Sequence, residues 1–503
     1  MESATSTSVE TATSPISSRR RDGTATQQTA PESPVHGRAN GGPTFVRRYR
    51  HVAAIHSKTR PSTLSHDAAA TPSFLGFRNL MAITLGMLAT PRQVPAGYGN
   101  LICLTCHGFR KHDLLVGLGL YFVIPCFLWV AHSIELFAAQ QAKASRALAI
   151  RRGGSASPTE DQAESFRAMW IRVRWLHGLN ATLALSLTSW VVYSYIHHPL
   201  IGTATELHAI IVWLKTASYA LTNRDLRHAY LHPVKGELAA LPEIYAQCPY
   251  PENITMSNLA YFWWAPTLVY QPVYPRTEKI RWKFVFKRLA EAVCLSVFIW
   301  FCSAQYAAPV LQNSLNSIST LRVASIVERL LKLSTISLVI WLAGFFALFQ
   351  STLNALAEVT RFGDRNFYDD WWNATSLRDY WSMWNKPVHA FMRRHVYSPM
   401  MGRGYGQNLS FLAVFFVSAV LHEMAVGVPT HNIIGVAFLG MMMQLPLIVI
   451  TDMVKKFVGE PRGKIVGNCT FWVTFTILGQ PFAALIYYYA WQAKFGSVSK
   501  IKA

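Results

Sequence analysis

Charged residues are scarce in this chain of 503 residues: they make up 15% of it, against 51% hydrophobic residues. Acidic residues are the scarcer kind, because 26 Asp and Glu stand against 47 Lys and Arg, which gives a formal net charge of +21. Long apolar runs with aromatic edges are typical of polytopic membrane proteins, and they exclude an ordinary soluble globule. The basic residues are scattered between these runs. This distribution argues against nucleic acid as a partner and suits anionic membrane lipids.

Two other features are missing. The seven cysteines show no disulfide framework, and no apolar core of a secretory signal follows the first arginines. Residues 1–72 are instead rich in Ser, Thr, Ala, Pro and Arg, with almost no apolar periodicity. Such a segment buries too little surface to offset the entropy of ordering. We therefore predict a disordered basic tail over 1–72 and one membrane-embedded catalytic domain over 73–503.

The apolar runs predict an all-α polytopic protein with about nine transmembrane helices. The predicted spans are 77–105 (broken near Pro91 and Pro95), 113–138, 172–197, 202–222, 288–312, 329–357, 408–428, 432–457 and 470–492. The loops after the even-numbered spans are basic, so the positive-inside rule places them and the N-terminus in the cytosol. Two of these loops, about 223–287 and 358–407, are long and dense in aromatic residues. We expect both to lie on the membrane surface as amphipathic helices.

One predicted span contains a histidine. His422 lies in the run FLAVFFVSAVLHEMAVGVP, with Glu423 beside it and Ser418 four residues earlier on the same helical face. Ionisable groups at membrane depth are costly and usually serve function, so His422 is our first candidate for a catalytic base, oriented by Glu423. The alternative is a helix–helix hydrogen bond made by a buried polar pair. The sequence HEMAV lacks the second histidine of a zinc protease, since Val426 occupies its position, and no metal is expected.

The motif WNKPVH supplies a second candidate. Asn385 and His389 are four residues apart, and Pro387 suits the first turn of a helix that begins here. An amide and an imidazole would then face one direction, next to Trp384. Taken alone, the motif is better explained by an N-cap asparagine and a surface histidine. Together with His422, we interpret it as part of a site.

The remaining candidates are polar residues among aromatic or apolar ones. In FYDDWWN, Asp370 and Asn373 are expected to fix the loop, with substrate binding as an alternative, while Trp371 and Trp372 anchor it at the membrane interface. Gln444 in span eight is expected to make interhelical hydrogen bonds; the alternative is donation to a reacting carbonyl. The remaining basic residues of this part of the chain are interpreted as loop cations that could attract phosphate; they are Arg393, Arg394 and Arg403.

The motifs FGDRNFYDDWWN, WNKPVHAF and SAVLHE resemble the signature of the membrane-bound O-acyltransferases. The closest likeness is to the branch that contains the diacylglycerol and sterol acyltransferases, and within it to the diacylglycerol type. The resemblance implies an enzyme of the endoplasmic reticulum with His422 at the junction of two tunnels and Asn385 as the second signature residue. It also places His389, Glu423 and Gln444 near the reaction chamber.

The same resemblance implies the substrates and the assembly. Acyl-CoA would enter from the cytosol and diacylglycerol from the bilayer, no further cofactor would be needed, and the protein would form a homodimer or homotetramer. One departure concerns the stretch GYGQNLSF before span seven, which lacks the Lys and Arg expected there for the phosphates of CoA.

These residue types predict acyl transfer by general-base catalysis. A neutral imidazole can take the proton of a hydroxyl as it attacks a thioester. The nearest alternative is a sterol or wax-alcohol acyltransferase on the same fold. A more distant one is a lipid or ion transporter in which His422 and Glu423 relay protons.

Overall fold

The computed structural model describes residues 51–65, 72–88, 110–151, 160–232, 241–311 and 323–495. This part of the chain is helical, apart from isolated bridges that join Arg60 to Asp364 and Arg276 to Phe362. The helices are α1 (Leu75–Leu88), α2 (Lys111–Val123), α3 (Cys126–Arg151), α4 (Glu160–Tyr195), α5 (Pro199–Leu231), α6 (Met256–Trp264), α7 (Trp282–Cys302), α8 (Val323–Phe345), α9 (Leu353–Val359), α10 (Leu377–Met383), α11 (Lys386–Met392), α12 (Ser398–Met401), α13 (Gln407–Gly427), α14 (Val436–Met442), α15 (Gln444–Val458), α16 (Arg462–Val473) and α17 (Gln480–Phe495).

Five helical segments of the described chain are long and apolar enough to cross a membrane. They cover Lys111–Leu148, Val327–Val359, Gln407–Gly427, Val436–Val458 and Arg462–Lys494. Two of these segments contain a π-helical turn, at Phe346–Thr352 and at Thr474–Gly479. The segments coincide with five of the predicted spans, so the chain is a multi-pass helical membrane protein.

The predicted count of nine spans is not confirmed. Helices α4, α5 and α7 occupy three further predicted spans, but they are less apolar because charged residues lie within them, such as Arg174, Glu206 and Lys287. The first predicted span begins as α1, which ends at Leu88. The break predicted near Pro91 and Pro95 lies outside the described residues.

The long connection between α9 and α13 is not a surface layer, and the expectation that Trp371 and Trp372 are interfacial anchors is wrong. Both indoles are 0% exposed. The ring of Trp371 lies 5.3 Å from that of Trp384 and 5.7 Å from that of Trp472. Trp384 in turn stacks on Trp341 at 4.4 Å. Aromatic rings in such edge and offset contacts bury a large apolar area, so this loop forms part of the core.

The prediction of a disordered tail over 1–72 is corrected for residues 51–65, which we call the strap. The strap packs on the protein, where His56 Nδ1 lies 2.8 Å from Asp364 Oδ2 and its Nε2 lies 2.8 Å from Thr267 Oγ1. Arg60 binds Asp364 through Nε at 2.8 Å. The partners lie more than 200 residues away in sequence, which explains why local composition missed them. Residues 1–50 and 66–71 lie outside the described residues.

Candidate active site

His422 is held by the helix that carries it. In α13, its Nδ1 lies 2.8 Å from the carbonyl oxygen of Ser418 and 3.4 Å from the Ser418 hydroxyl. A carbonyl oxygen can only accept a hydrogen bond, so Nδ1 carries the proton and donates it. The lone pair is therefore on Nε2. A neutral imidazole in this tautomer presents a proton acceptor away from the helix backbone.

His422 keeps a solvent-accessible surface, although many protein atoms surround its imidazole. Residues of two hydrophobic clusters lie near it along α13. One cluster contains Phe415 and Ala419, and Leu421 and Met424 pack against the other.

Glu423 faces elsewhere, which corrects the expectation that it orients the imidazole. Its Oε1 accepts from the backbone N–H of Gly435 at 2.8 Å, and its Oε2 accepts from Phe438 at 3.1 Å and from the Tyr487 hydroxyl at 2.7 Å. A carboxylate on the first N–H groups of a helix is a favourable cap. Glu423 therefore joins α13 to the start of α14 and to Tyr487 of α17. The Ser418 carbonyl oxygen, not Glu423, orients the imidazole.

Asn385 caps α11, as the motif indicated. Its Oδ1 accepts from the backbone N–H of Val388 at 3.2 Å, and Pro387 occupies the first turn. Because Oδ1 is used in this way, the amide NH₂ is the end of the side chain that can donate to a ligand. The cap thereby fixes the direction of a donor. The N-cap interpretation of Asn385 is confirmed, and its part in a site stays a prediction.

His389, one turn further along α11, is also a neutral imidazole. Its Nδ1 lies 3.2 Å from the carbonyl oxygen of Ser382, which makes Nδ1 the donor and leaves the lone pair on Nε2. Burial lowers the pKa of His389, although the Ser382 carbonyl opposes this, and the cations Arg393 and Lys386 lower it further. Val388, which precedes it, belongs to the same hydrophobic cluster as Leu421 of α13.

Gln444 is engaged at both ends of its amide. Its Oε1 lies 3.4 Å from Trp381 Nε1, and its Nε2 donates to the carbonyl oxygen of Gly440 at 3.2 Å. The indole of Trp381 meets the ring of Phe415 edge-on at 6.0 Å, two turns before His422. The interhelical hydrogen bond expected for Gln444 is thus present, and the second N–H of its amide stays available as a donor.

Asp370 and Asn373 fix the loop, as expected. Asn373 Nδ2 donates to Asp370 Oδ2 at 3.0 Å and to the carbonyl oxygen of Ser73 at 2.7 Å, while its Oδ1 accepts from Gly76 N–H at 2.8 Å. These bonds tie the loop to α1. Both residues serve the scaffold behind the site, as does the ring of Trp384 beside Asn385.

Sequence reasoning missed a buried polar network beside α11. Arg394, interpreted as a loop cation, is 2% exposed and donates to the carbonyl oxygens of His51 at 2.5 Å and Tyr270 at 3.0 Å. His395 Nε2 lies 2.7 Å from the Ser218 hydroxyl, and its Nδ1 lies 3.1 Å from His51 Nδ1. The strap thus contacts Arg394 and His395, the second and third residues after α11. The pairing of Arg with His in MRRHVY is the one local signal that could have indicated this.

The structure brings the predicted residues to α13 from two directions. Helix α11, with Asn385 and His389, packs in the cluster that contains Leu421, and α15, with Gln444, packs through Trp381 on Phe415. Among the described residues, His422 makes no recorded hydrogen bond to Asn385, His389 or Gln444.

These features define a multi-pass helical membrane protein with an accessible, pre-oriented imidazole on a transmembrane helix. The family model described as "MBOAT, membrane-bound O-acyltransferase family" matches residues 159–489. The chain belongs to the membrane-bound O-acyltransferase family.

Curated relatives agree with this membership. Diacylglycerol O-acyltransferase 1A of Glycine max is 44% identical over 291 residues, which cover 58% of this chain and 57% of that protein. Diacylglycerol O-acyltransferase 1-2 of Oryza sativa subsp. japonica is 33% identical over 460 residues, 88% of this chain and 86% of that protein. Diacylglycerol O-acyltransferase 1 of Dictyostelium discoideum is 33% identical over 432 residues, which cover 85% of this chain and 64% of that protein. The chain spans 56–57% of the length of the three soybean proteins that it matches.

Proposed function

We propose that this protein transfers the acyl group of acyl-CoA to the free hydroxyl of 1,2-diacylglycerol, giving triacylglycerol, with His422 as general base. The observation that carries the proposal is the hydrogen bond from His422 Nδ1 to the Ser418 carbonyl oxygen, which leaves the lone pair on an accessible Nε2. The relatives are named diacylglycerol O-acyltransferases, which supports an acyl group as the transferred group and diacylglycerol as the acceptor.

The reaction follows from that tautomer. Nε2 takes the proton of the acceptor hydroxyl while the hydroxyl oxygen attacks the thioester carbonyl carbon. The tetrahedral intermediate then expels the CoA thiolate, which receives the proton from the imidazolium. Nδ1 stays bonded to the Ser418 carbonyl throughout, and this bond stabilises the transient positive charge. A positioned base of this kind contributes roughly 10²–10⁴-fold to the rate.

The oxyanion of the intermediate needs a donor, and Asn385 is the residue best placed to supply it. Its Oδ1 caps α11, which leaves both N–H groups of its amide as donors, whereas Gln444 uses one of its two N–H groups on the Gly440 carbonyl oxygen. Preorganised donors aimed at developing charge are usually the largest single contribution to catalysis.

Acyl-CoA reaches the site, in this proposal, from the face formed by the long loops. Arg393 and Arg403 are exposed there and are the candidates for the CoA phosphates that GYGQNLSF does not supply. Diacylglycerol enters from the bilayer. Residence in the endoplasmic reticulum, a cytosolic N-terminus, and a homodimer or homotetramer belong to the same proposal. The described residues contain no group of three or more His, Cys, Asp or Glu that could hold a metal ion, and a metal-free reaction remains a prediction.

The test is an acceptor competition with purified protein. Labelled acyl-CoA is offered together with diacylglycerol, a sterol and a fatty alcohol, and the products are separated. We expect triacylglycerol to be the main product. Sterol ester or wax ester alone would replace the proposed acceptor. Absence of any ester from correctly assembled protein would favour a transporter.

A further inference from the structure

A strongly cationic cavity lies away from His422. It encloses about 770 Å³ where the strap, the beginning of α7 and the end of α9 meet. Seven cationic side chains and two acidic ones line it. Such an excess of one charge in a concave site raises the local concentration of counter-ions. The protein itself neutralises part of that charge.

Four of the cations are paired. Glu358 binds Arg281 at 3.1 Å and Arg365 at 2.6 Å. Arg60 binds Asp364 at 2.5 Å, and Arg288 binds Glu291 at 2.8 Å. These pairs fix the wall of the cavity.

Three cations stand outside these pairs, against one lining carboxylate, Glu278. Arg276, Lys279 and Lys287 have no recorded ion pair with any residue in the described ranges. The guanidinium of Arg276 lies over the ring of Tyr261 at 4.0 Å, which holds it in place without neutralising it. The segment that carries it is also pinned, because Thr277 N–H donates to the carbonyl oxygen of Arg361 at 2.9 Å.

A phosphate group supplies several strong acceptor oxygens together with the negative charge that the free cations require.

The position of the cavity indicates where that phosphate comes from. Helix α7 starts at the cavity and presents an exposed apolar stripe that includes Trp282, Phe286 and Val293, of which Phe286 is 67% exposed. Their spacing of four and seven residues puts them on one face. A tryptophan at the charged end of such a stripe is typical of a membrane interface. A ligand with a phosphate group at this level and acyl chains along the apolar stripe is a phospholipid.

We propose that this cavity binds the headgroup phosphate of an anionic phospholipid, held by Arg276, Lys279 and Lys287, with its acyl chains along α7. Arg60 of the strap and Arg281 of α7 line the same cavity. A bound lipid therefore joins the strap to the membrane-facing helix. The binding is independent of the acyl-transfer reaction and can be measured without it.

The experiment compares two variants of the full-length protein in detergent. The test variant replaces Lys279 and Lys287 by Gln. The matched control is Lys283→Gln, which removes an exposed lysine that lies in α7, between the two test positions in sequence, and does not line the cavity. The probes are short-chain phosphatidylserine, short-chain phosphatidylcholine, free CoA and inorganic phosphate. Binding is measured by lipid retention in native mass spectrometry and by the shift in Tm.

We expect phosphatidylserine to bind and raise the Tm, phosphatidylcholine to bind weakly, and CoA and phosphate not to compete. The double variant should lose about thirtyfold in affinity for phosphatidylserine, since each of the two lysines contributes about 1 kcal/mol to anionic lipid binding and about 1.4 kcal/mol is tenfold. Lys283→Gln should change it less than about twofold. Equal retention by both variants would overturn the proposal. So would loss of CoA affinity with lipid retention unchanged, which would assign the cavity to the thioester substrate.

Discussion

The Nδ1 atom of His422 lies 2.8 Å from the main-chain oxygen of Ser418, four residues earlier on α13. The helix therefore selects the tautomer of its own imidazole, without a carboxylate. In the more familiar arrangement a neighbouring acid performs this task. Here the neighbouring acid, Glu423, is buried in a cap.

The first prediction separates the imidazole from its neighbours. His422→Ala should lower kcat by roughly 10²–10⁴-fold, because the proton acceptor is lost. Ser418→Ala should change kcat by less than about threefold, because the main-chain oxygen remains and only a weak 3.4 Å contact disappears. Turnover by purified, correctly assembled protein is the measurement. Full activity of His422→Ala would refute the mechanism, and a severe loss in Ser418→Ala would assign a role to the hydroxyl.

The second prediction concerns Asn385, whose two functions can be separated. Asn385→Asp keeps an oxygen that can cap α11 but removes the NH₂ donor. We expect an unchanged Tm and a fall in kcat of about 10²-fold, in the range measured for loss of one oxyanion donor. Asn385→Ala should lose both properties. If Asn385→Asp retains wild-type kcat, the oxyanion is stabilised by another group.

The third prediction treats Glu423 as a structural residue. Glu423→Gln replaces an acceptor that receives three hydrogen bonds by a group with one acceptor oxygen, so the free energy of unfolding should fall by about 1–3 kcal/mol. The pH profile of the remaining activity should not move. Tyr487→Phe is the control, because it removes only one of the three donors and should cost about 1 kcal/mol. A shifted pH profile with an unchanged Tm would mean that Glu423 contributes to catalysis.

The fourth prediction is that acid releases the strap. Burial lowers the pKa of His51 to about 4 from its ordinary value of 6.5; the Asp225 carboxylate opposes this, while Arg224, Arg394 and Arg403 add to it. Burial also lowers the pKa of His395, which faces His51. A folded-state pKa below the unfolded value means that protonation favours release. Docking is therefore complete above pH 6.5 and weakens as the pH falls from 6.5 towards 4.

Hydrogen exchange of residues 51–65 at pH 7.5 and 5.5, corrected for intrinsic rates, measures this release. One pH unit below the unfolded pKa should weaken docking by about tenfold for His51 alone. In His51→Phe the aromatic contact with His395 is kept and the titrating group is lost, so the pH dependence should be smaller. Equal protection at both pH values in the wild type would contradict the prediction.

The sequence was sufficient for the helical class and five of the spans, because long apolar runs are a strong local signal. The choice of His422 stays a prediction, which rests on the rarity of an ionisable residue in an apolar run. The sequence was misleading about Glu423, although the geometry of a helix contained a warning. Successive residues on a helix point about 100° apart, so a residue next to His422 faces a different neighbour. Asn385 was predicted correctly as a cap, since that interaction is local.

Long-range pairing could not be inferred. Trp371 and Trp372 have the composition of an interfacial anchor, and only their contacts with α1, α8 and α16 make them core residues. His51 and His395 are 344 positions apart. No local periodicity encodes such a contact, and a segment judged by its own composition appears disordered until its partners are known.

The docked strap determines how much of the N-terminus can be removed. A truncation that stops before His51 removes only residues that lie outside this docked segment, whereas one that continues to Ser65 strips the hydrogen-bond partners from Asp364, Gln271 and Arg394 together. A fusion partner or affinity tag joined at residue 66 would leave that polar surface bare. Deletion series of this protein should therefore show a sharp threshold in yield within these fifteen positions, and shortening up to that threshold should have little effect.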